Sequence, residues 1–155
     1  MVEPASILAA KVLIVDDQPS CVRLLERILH GAGYTCVEST TDPHEVSELH
    51  RKNHYDLVLL DLQMPGLDGF RVLEGLKLVE QDGYLSVLVM TAHPGHKARA
   101  MAAGAKDFIS KPLSAIEVLT RVYNMLELRL LHVHNMRKTG TVRAPRTEPR
   151  ATRSS

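Results

Sequence analysis

Cysteine is scarce: Cys21 and Cys36 are the only two in 155 residues. Two cysteines without a secretory signal make no disulfide framework, and both are expected to be small buried hydrophobes. Net charge is almost absent too, at +1, so no strong global field directs the chain to nucleic acid or membrane. No apolar run approaches the roughly 20 residues that span a bilayer. Met1 to Ala10 lacks the basic stretch and apolar core of a signal peptide. A soluble, reduced, cytoplasmic protein is therefore expected. No G-x-x-x-x-G-K-[ST] run occurs, which argues against a P-loop nucleotidase. Gly31-Ala32-Gly33 falls after a predicted helix rather than a strand, so it is no dinucleotide fingerprint. Internal repeats are lacking as well.

What is present is a single domain's worth of chain with 45% apolar residues. Short unbroken aliphatic runs, Lys11–Val15, Leu57–Leu60 and Leu85–Met90, read as strands buried on both faces. Tyr34–Ser39 is more polar and suits a sheet edge, and Lys106–Ile109 is a brief fifth strand. Helical spacing separates them. Val22, Leu25, Ile28 and Leu29 form one apolar face after an Asp17/Pro19 start, and Asp42-Pro43 opens a short helix to about His50. Asp68 caps a helix with Phe70, Leu73, Leu76 and Val79 on one side, Asp82-Gly83 is a turn, and residues 95–103 suit a helix. Ser114 caps the last helix, with Glu117 at the capping-box position. Five strands alternating with five helices predict an α/β fold, a parallel sheet covered on both faces with right-handed crossovers. Residues 1–10 read as a disordered lead, 11–133 as the domain with a long last helix, and 134–155 as a disordered basic tail. From Met136 the tail carries Arg137, Lys138, Arg143, Arg146, Arg150 and Arg153 against Glu148, a net +5 on a body of net −4.

Four strand ends carry chemistry: Asp16-Asp17, Asp61, Thr91 and Lys111. In open α/β sheets such ends meet on one rim, where ligands bind. Three close carboxylates repel, and their burial needs a compensating cation. Lys111 supplies one positive charge, leaving −2, which a divalent ion would balance. Oxygen-only ligands favour Mg²⁺. A carboxylate beside Mg²⁺, a hydroxyl and an ammonium suits phosphoryl transfer, with Asp61 as nucleophile and Thr91 as a hydrogen-bond donor to the phosphoryl group. A dehalogenase-like phosphatase would place Asp two residues after its nucleophile, and Gln63 stands there instead.

Asp-Asp after the first strand, Asp-x-x-Met-Pro-Gly at residues 61–66, Thr91-Ala92 and Lys111-Pro112, in that order, resemble the receiver domain of two-component response regulators. The resemblance spans roughly residues 11–130. It implies a flavodoxin-like, doubly wound sheet of order 2-1-3-4-5 and a stand-alone, chemotaxis-regulator-like protein. By position it implies Asp61 as phosphoacceptor, and Asp16, Asp17, Asp61 and the Gln63 backbone carbonyl around Mg²⁺. Thr91 matches the switch hydroxyl, Lys111 the phosphate-pairing lysine and Phe108 the switch aromatic. Gln63 and His93 match positions that modulate phosphoryl lifetime. The implied partners are a histidine kinase or phosphotransfer protein and a downstream protein that the sequence does not name. No enzymatic turnover of another substrate is implied, only self-catalysed phosphoryl acceptance and loss.

Plainer readings stand beside these. Asp16-Asp17 could be a helix cap, though capping explains one Asp and not two. Phe108 could be an ordinary core aromatic. His93, His96 and the His132-x-His134 pair read as ordinary histidines rather than metal ligands. The tail reads as solvated rather than as a nucleic-acid arm. A phosphorylation-independent interaction module is the alternative function. Leu119, Tyr123, Leu126, Leu130 and Val133 trace a heptad seam about two heptads long. Its first half suits packing on the sheet, and its Leu-rich second half suits a homodimer through the last helices. Met125–His132 also resembles the junction that joins receivers to cyclic-dinucleotide output enzymes.

Overall fold

The structure is a computed structural model and describes residues 2–64, 68–80, 84 and 86–139. Its helices are α1 (Pro4–Leu8), α2 (Pro19–Gly31), α3 (Val46–Asn53), α4 (Gly69–Val79), α5 (Lys97–Ala102) and α6 (Ala115–Thr139). Its strands are β1 (Lys11–Val15), β2 (Cys36–Thr40), β3 (Leu57–Asp61), β4 (Val87–Thr91) and β5 (Asp107–Ser110). The five strands form one parallel sheet in the order β2-β1-β3-β4-β5, the flavodoxin-like order expected. Single turns of 3-10 helix at Pro43–Glu45 and Pro94–His96 lead into α3 and α5. The expected Asp82-Gly83 turn, the Met64-Pro65-Gly66 turn beyond Met64, and the tail from Gly140 lie outside the described residues.

Period-two alternation sorts the aliphatic strand residues onto two cores. Leu13, Val15, Val58, Leu60, Val87 and Val89 face α3, α4 and α5, where Val46, Phe70, Leu73, Leu76 and Ala100 cover them. Val12, Ile14, Leu57, Leu59, Leu88 and Met90 face α2 and α6, where Leu25, Leu29, Val118, Val122 and Leu126 cover them. The central strands are therefore continuous hydrophobic runs. The edge strand β2 is largely exposed, as its polarity predicts. That edge position also leaves Cys36 exposed, and Cys21 is half-buried. Neither is the small core residue expected.

Caps end or start the helices where short polar side chains stand. Asp68 Oδ1 accepts the Phe70 N–H at 2.9 Å, and Ser114 Oγ accepts the Glu117 N–H at 3.3 Å. At α2 the expectation changes. Gln18 holds the cap position without a side-chain bond, while Asp16, not Asp17, accepts the Gln18 N–H at 3.0 Å. Tyr34 and Thr35 are not in the strand, because their N–H groups bond to Leu29 O and Leu8 O.

The lead is the main correction. Residues 4–8 form α1 rather than a disordered segment, which makes six helices instead of five. Ile7 is fully buried in the second core, with Val2 and Leu8 packed beside it. Leu119, Tyr123 and Leu130 of the heptad seam pack on the same core, so this seam is occupied within the chain as far as Leu130. Leu128 and Leu131, on the outer side, stay exposed. The last helix runs on to Thr139, past the end expected for the domain. Among the described residues no helix is long and apolar enough to cross a membrane.

Buried polar groups pin the later part of α6 to the pole opposite Asp61. Arg129 donates to Tyr84 O at 3.2 Å and lies 3.6 Å from Asp56 and 4.0 Å from Glu80. Glu80 also meets His50 Nε2 at 2.8 Å. His50 Nδ1 accepts the Tyr55 N–H at 3.2 Å, so Nε2 carries the proton given to Glu80. Removing one partner of a buried charged group is costly. Arg129→Ala is expected to lower unfolding free energy by roughly 3 kcal/mol, measured by urea denaturation. Ile7→Ala should cost about 2–4 kcal/mol in the same assay; a disordered lead would give no change.

Candidate functional site

Parallel register builds the site. Val15 pairs with Leu60, so the next residues, Asp16 and Asp61, stand level at the carboxyl ends of neighbouring strands. Thr91 pairs with Ser110 on the far side, and Lys111 follows at once with its N–H bonded to Thr91 O at 2.9 Å. Four residues spread over 95 positions thereby reach one rim. Gly69 is required beside them. A Cβ there would lie 2.6 Å from Leu62 Cα and 3.0 Å from Asp61 O, so only glycine lets α4 start against the backbone that carries Asp61.

Carboxylate oxygens of Asp16, Asp17 and Asp61 lie within 4.8 Å of one another. Asp16 and Asp61 are buried, and Asp17 is half-buried at the rim. Lys111 Nζ reaches two of them, at 2.9 Å from Asp16 Oδ2 and 3.4 Å from Asp61 Oδ2. The second oxygen of Asp61 accepts the Gln63 N–H at 3.1 Å. Thr91, fully buried, donates its hydroxyl proton to Gln63 Oε1 at 3.3 Å and accepts the His93 N–H at 3.1 Å. The structure thus brings together Asp16, Asp17, Asp61, Gln63, Thr91 and Lys111. Phe108 lies apart from these contacts, buried in the first core with Val89 and Ala100.

Burial pushes the Asp61 carboxyl above the ordinary carboxylate range. Asp16's charge adds to this, while the Gln63 N–H and Lys111 oppose it. For Lys111, burial alone would pull the ammonium down. Its bond to Asp16 and the charges of Asp61 and Asp16 outweigh that and hold it above its usual value. One ammonium among three carboxylates leaves a net −2 when all are ionised. An all-oxygen donor set with that deficit fits a hard divalent cation such as Mg²⁺.

Two neighbours carry no signal in the sequence. Cys21 Sγ lies 3.8 Å from Lys111 Nζ, because the first turn of α2 follows directly on the acidic pair. Burial and the Asp16 charge push this thiol up despite Lys111, so it stays a thiol. Farther along the rim, Arg99 stacks on Phe70 at 3.7 Å, and His96 meets the Phe70 ring edge-on at 5.7 Å. These histidines contact rings, and no grouping of three ligand residues includes them among the described residues.

A raised carboxyl means that the folded chain binds its proton more tightly than the unfolded chain does. Stability is then lost as pH rises from about 4 through the folded value, because ionising Asp61 is harder in the fold. Asp61→Asn removes that loss. Without divalent cation, the variant should unfold at higher urea than wild type at pH 7, and the gap should shrink toward pH 4.

Comparison with known proteins bears on this geometry. The family model described as response regulator receiver domain matches residues 12–123. Response regulator PleD of Caulobacter vibrioides is 32% identical over 126 residues, 80% of this chain and 28% of that protein. Two-component response regulator PprB of Pseudomonas aeruginosa is 33% identical over 111 residues, 70% of this chain and 40% of that protein. The chain thus spans well under half the length of either relative. Among solved structures, Vibrio cholerae chemotaxis protein CheY4 superposes with a TM-score of 0.66 at 30% identity, covering 74% of this chain and 98% of that one. CheY in the CheX-CheY-BeF3-Mg complex of Borrelia burgdorferi gives 0.68 at 30% identity, covering 74% and 87%. With its strand order, its rim of acidic residues and a family match over most of its length, the chain belongs to the response regulator receiver domain family.

Proposed function

We propose that the chain accepts a phosphoryl group on Asp61, with Mg²⁺, from a histidine kinase or phosphotransfer protein, and that the modified form switches its binding to a downstream protein. The observation that carries this is the Lys111 ammonium held between Asp16 and Asp61 at 2.9 and 3.4 Å, within a cluster of three carboxylates. An Asp61 oxygen forms the new O–P bond as the donor's P–N bond breaks, and the donor imidazole leaves with a proton. Asp16, Asp17 and Asp61, with the Gln63 backbone carbonyl, are the residues that would hold the metal. When bound, the metal neutralises charge on the transferred group. Lys111 is placed to pair with a phosphoryl oxygen, and Thr91 can donate its hydroxyl to another. The acyl phosphate then shifts a pre-existing equilibrium of the β4–β5 face.

The Borrelia burgdorferi relative was solved with BeF3 and Mg in a complex with CheX, which supports a phosphoryl-like ligand and a metal on this rim. The chain's covalent chemistry is confined to its own Asp61, so it is a switch rather than an enzyme acting on other substrates. Free Cys21 and Cys36 suit a reducing compartment, and a cytoplasmic location belongs to the same reading. Incubation with a small phosphodonor and Mg²⁺ should add a single phosphoryl group, read by intact-mass spectrometry. Asp61→Asn and chelation of the metal should each abolish it. Labelling of the Asn variant as strong as that of wild type would overturn the assignment. Equal partner affinity with and without beryllofluoride would favour the phosphorylation-independent module instead.

A further inference from the structure

We infer that the Gln63 side chain holds the Thr91 hydroxyl in the resting protein, and so sets how readily the phosphorylated site recruits Thr91. This rests on Asp61 being the phosphoacceptor, and goes beyond it by naming a positioning residue for the switch. A hydroxyl has one proton to give. The Thr91 proton is given to Gln63 Oε1 at 3.3 Å, while the Thr91 oxygen already accepts the His93 N–H at 3.1 Å. Thr91 is fully buried, so it has no water to donate to. To bond a phosphoryl oxygen on Asp61 it must let go of Gln63, whereas the His93 bond can persist.

The two bonds of Gln63 make the hold local to the chemistry. Its backbone N–H binds Asp61 Oδ1 at 3.1 Å, and its side chain binds the switch hydroxyl. One residue therefore touches both the acceptor and the group that must respond to it. Gln63 is itself exposed, so water can replace Thr91 as the partner of its carbonyl. Release is consequently inexpensive. A neutral hydrogen bond of this kind contributes a modest net amount, equivalent to roughly a three- to tenfold change in an equilibrium constant.

The test is the affinity of the full chain for beryllofluoride with Mg²⁺, followed by fluorine NMR. Beryllofluoride mimics the phosphoryl group and is not hydrolysed, so its affinity isolates the resting hold from any effect on phosphoryl lifetime. Gln63→Met keeps the side-chain length, the backbone N–H and the backbone carbonyl, and removes the acceptor. It should bind roughly three- to tenfold more tightly than wild type. In a Thr91→Val background the same substitution should change nothing, because the hydroxyl it releases is gone. Unchanged affinity on Gln63→Met, or an equal gain in both backgrounds, overturns the inference while leaving the acceptor assignment standing. Failure of wild type to bind beryllofluoride overturns both. The resting protein gives a second readout: the Thr91 methyl resonance should shift on Gln63→Met, and an unmoved resonance overturns the hold.

Discussion

The contact on which the site depends is the Lys111 ammonium wedged between Asp16 and Asp61. Without a cation, buried carboxylates this close could not all ionise. Yet the proposed function needs Asp61 ionised. Lys111 reaches them only because β5 runs parallel beside β4 and delivers it to the same rim. The sheet order thus solves an electrostatic problem. The end of β1 adds the pair Asp16-Asp17, and β3, β4 and β5 add Asp61, Thr91 and Lys111. The compensation is incomplete, since Asp61 is still held above the ordinary carboxylate range by burial. The residual negative charge on the rim favours a cation.

Such a rim is a cost carried by the rest of the molecule. The two apolar faces of the sheet, filled by alternate residues of the same strands, supply the burial that offsets it. Every aliphatic residue before Asp61 in β3 is buried on one face or the other. The acidic end can therefore stay strained without loosening the strand that carries it. At the opposite pole the charges are arranged differently. Glu80 accepts the His50 Nε2–H and lies near Arg129, so acid there meets donors of the chain itself. That pole sets two carboxylates against a guanidinium and an imidazole N–H, whereas the rim sets three carboxylates against one ammonium.

Much of this was legible in the sequence, for a physical reason. Unbroken aliphatic runs that end in Asp, Thr or Lys mark doubly buried strands and the rim they share, so the sequence alone places Asp16, Asp61, Thr91 and Lys111 together. The polar strand expected at Tyr34–Ser39 likewise declared itself an edge, which β2 is. Other features depend on contacts across the fold. The segment Pro4–Leu8 is too short to show helical periodicity, and only the groove beside α6 makes Ile7 a core residue. Arg129 looks like a solvated helix charge until Asp56 and Tyr84, 73 and 45 residues away, are brought beside it. Cys21 and Cys36 are exposed to different degrees because one follows the acidic pair and the other lies on the edge strand. Their residue type alone predicts burial.

The extensions of the chain follow a different logic from its chemistry. The family match covers residues 12–123, so α1 and the later turns of α6 both lie outside it. They are far apart in sequence, yet they share one core: Ile7, Val2 and Leu8 pack in the same cluster as Met125, Leu126 and Leu130. A helix of five residues has no stability of its own, so α1 must be held by that cluster. The later turns of α6 gain cover in return, so Leu126 and Leu130 of the heptad seam are packed within the chain. Leu128 and Leu131 remain on the outer side, while Arg129 between them is anchored inward. The helical phase beyond the family domain is therefore fixed by the chain's own buried contacts.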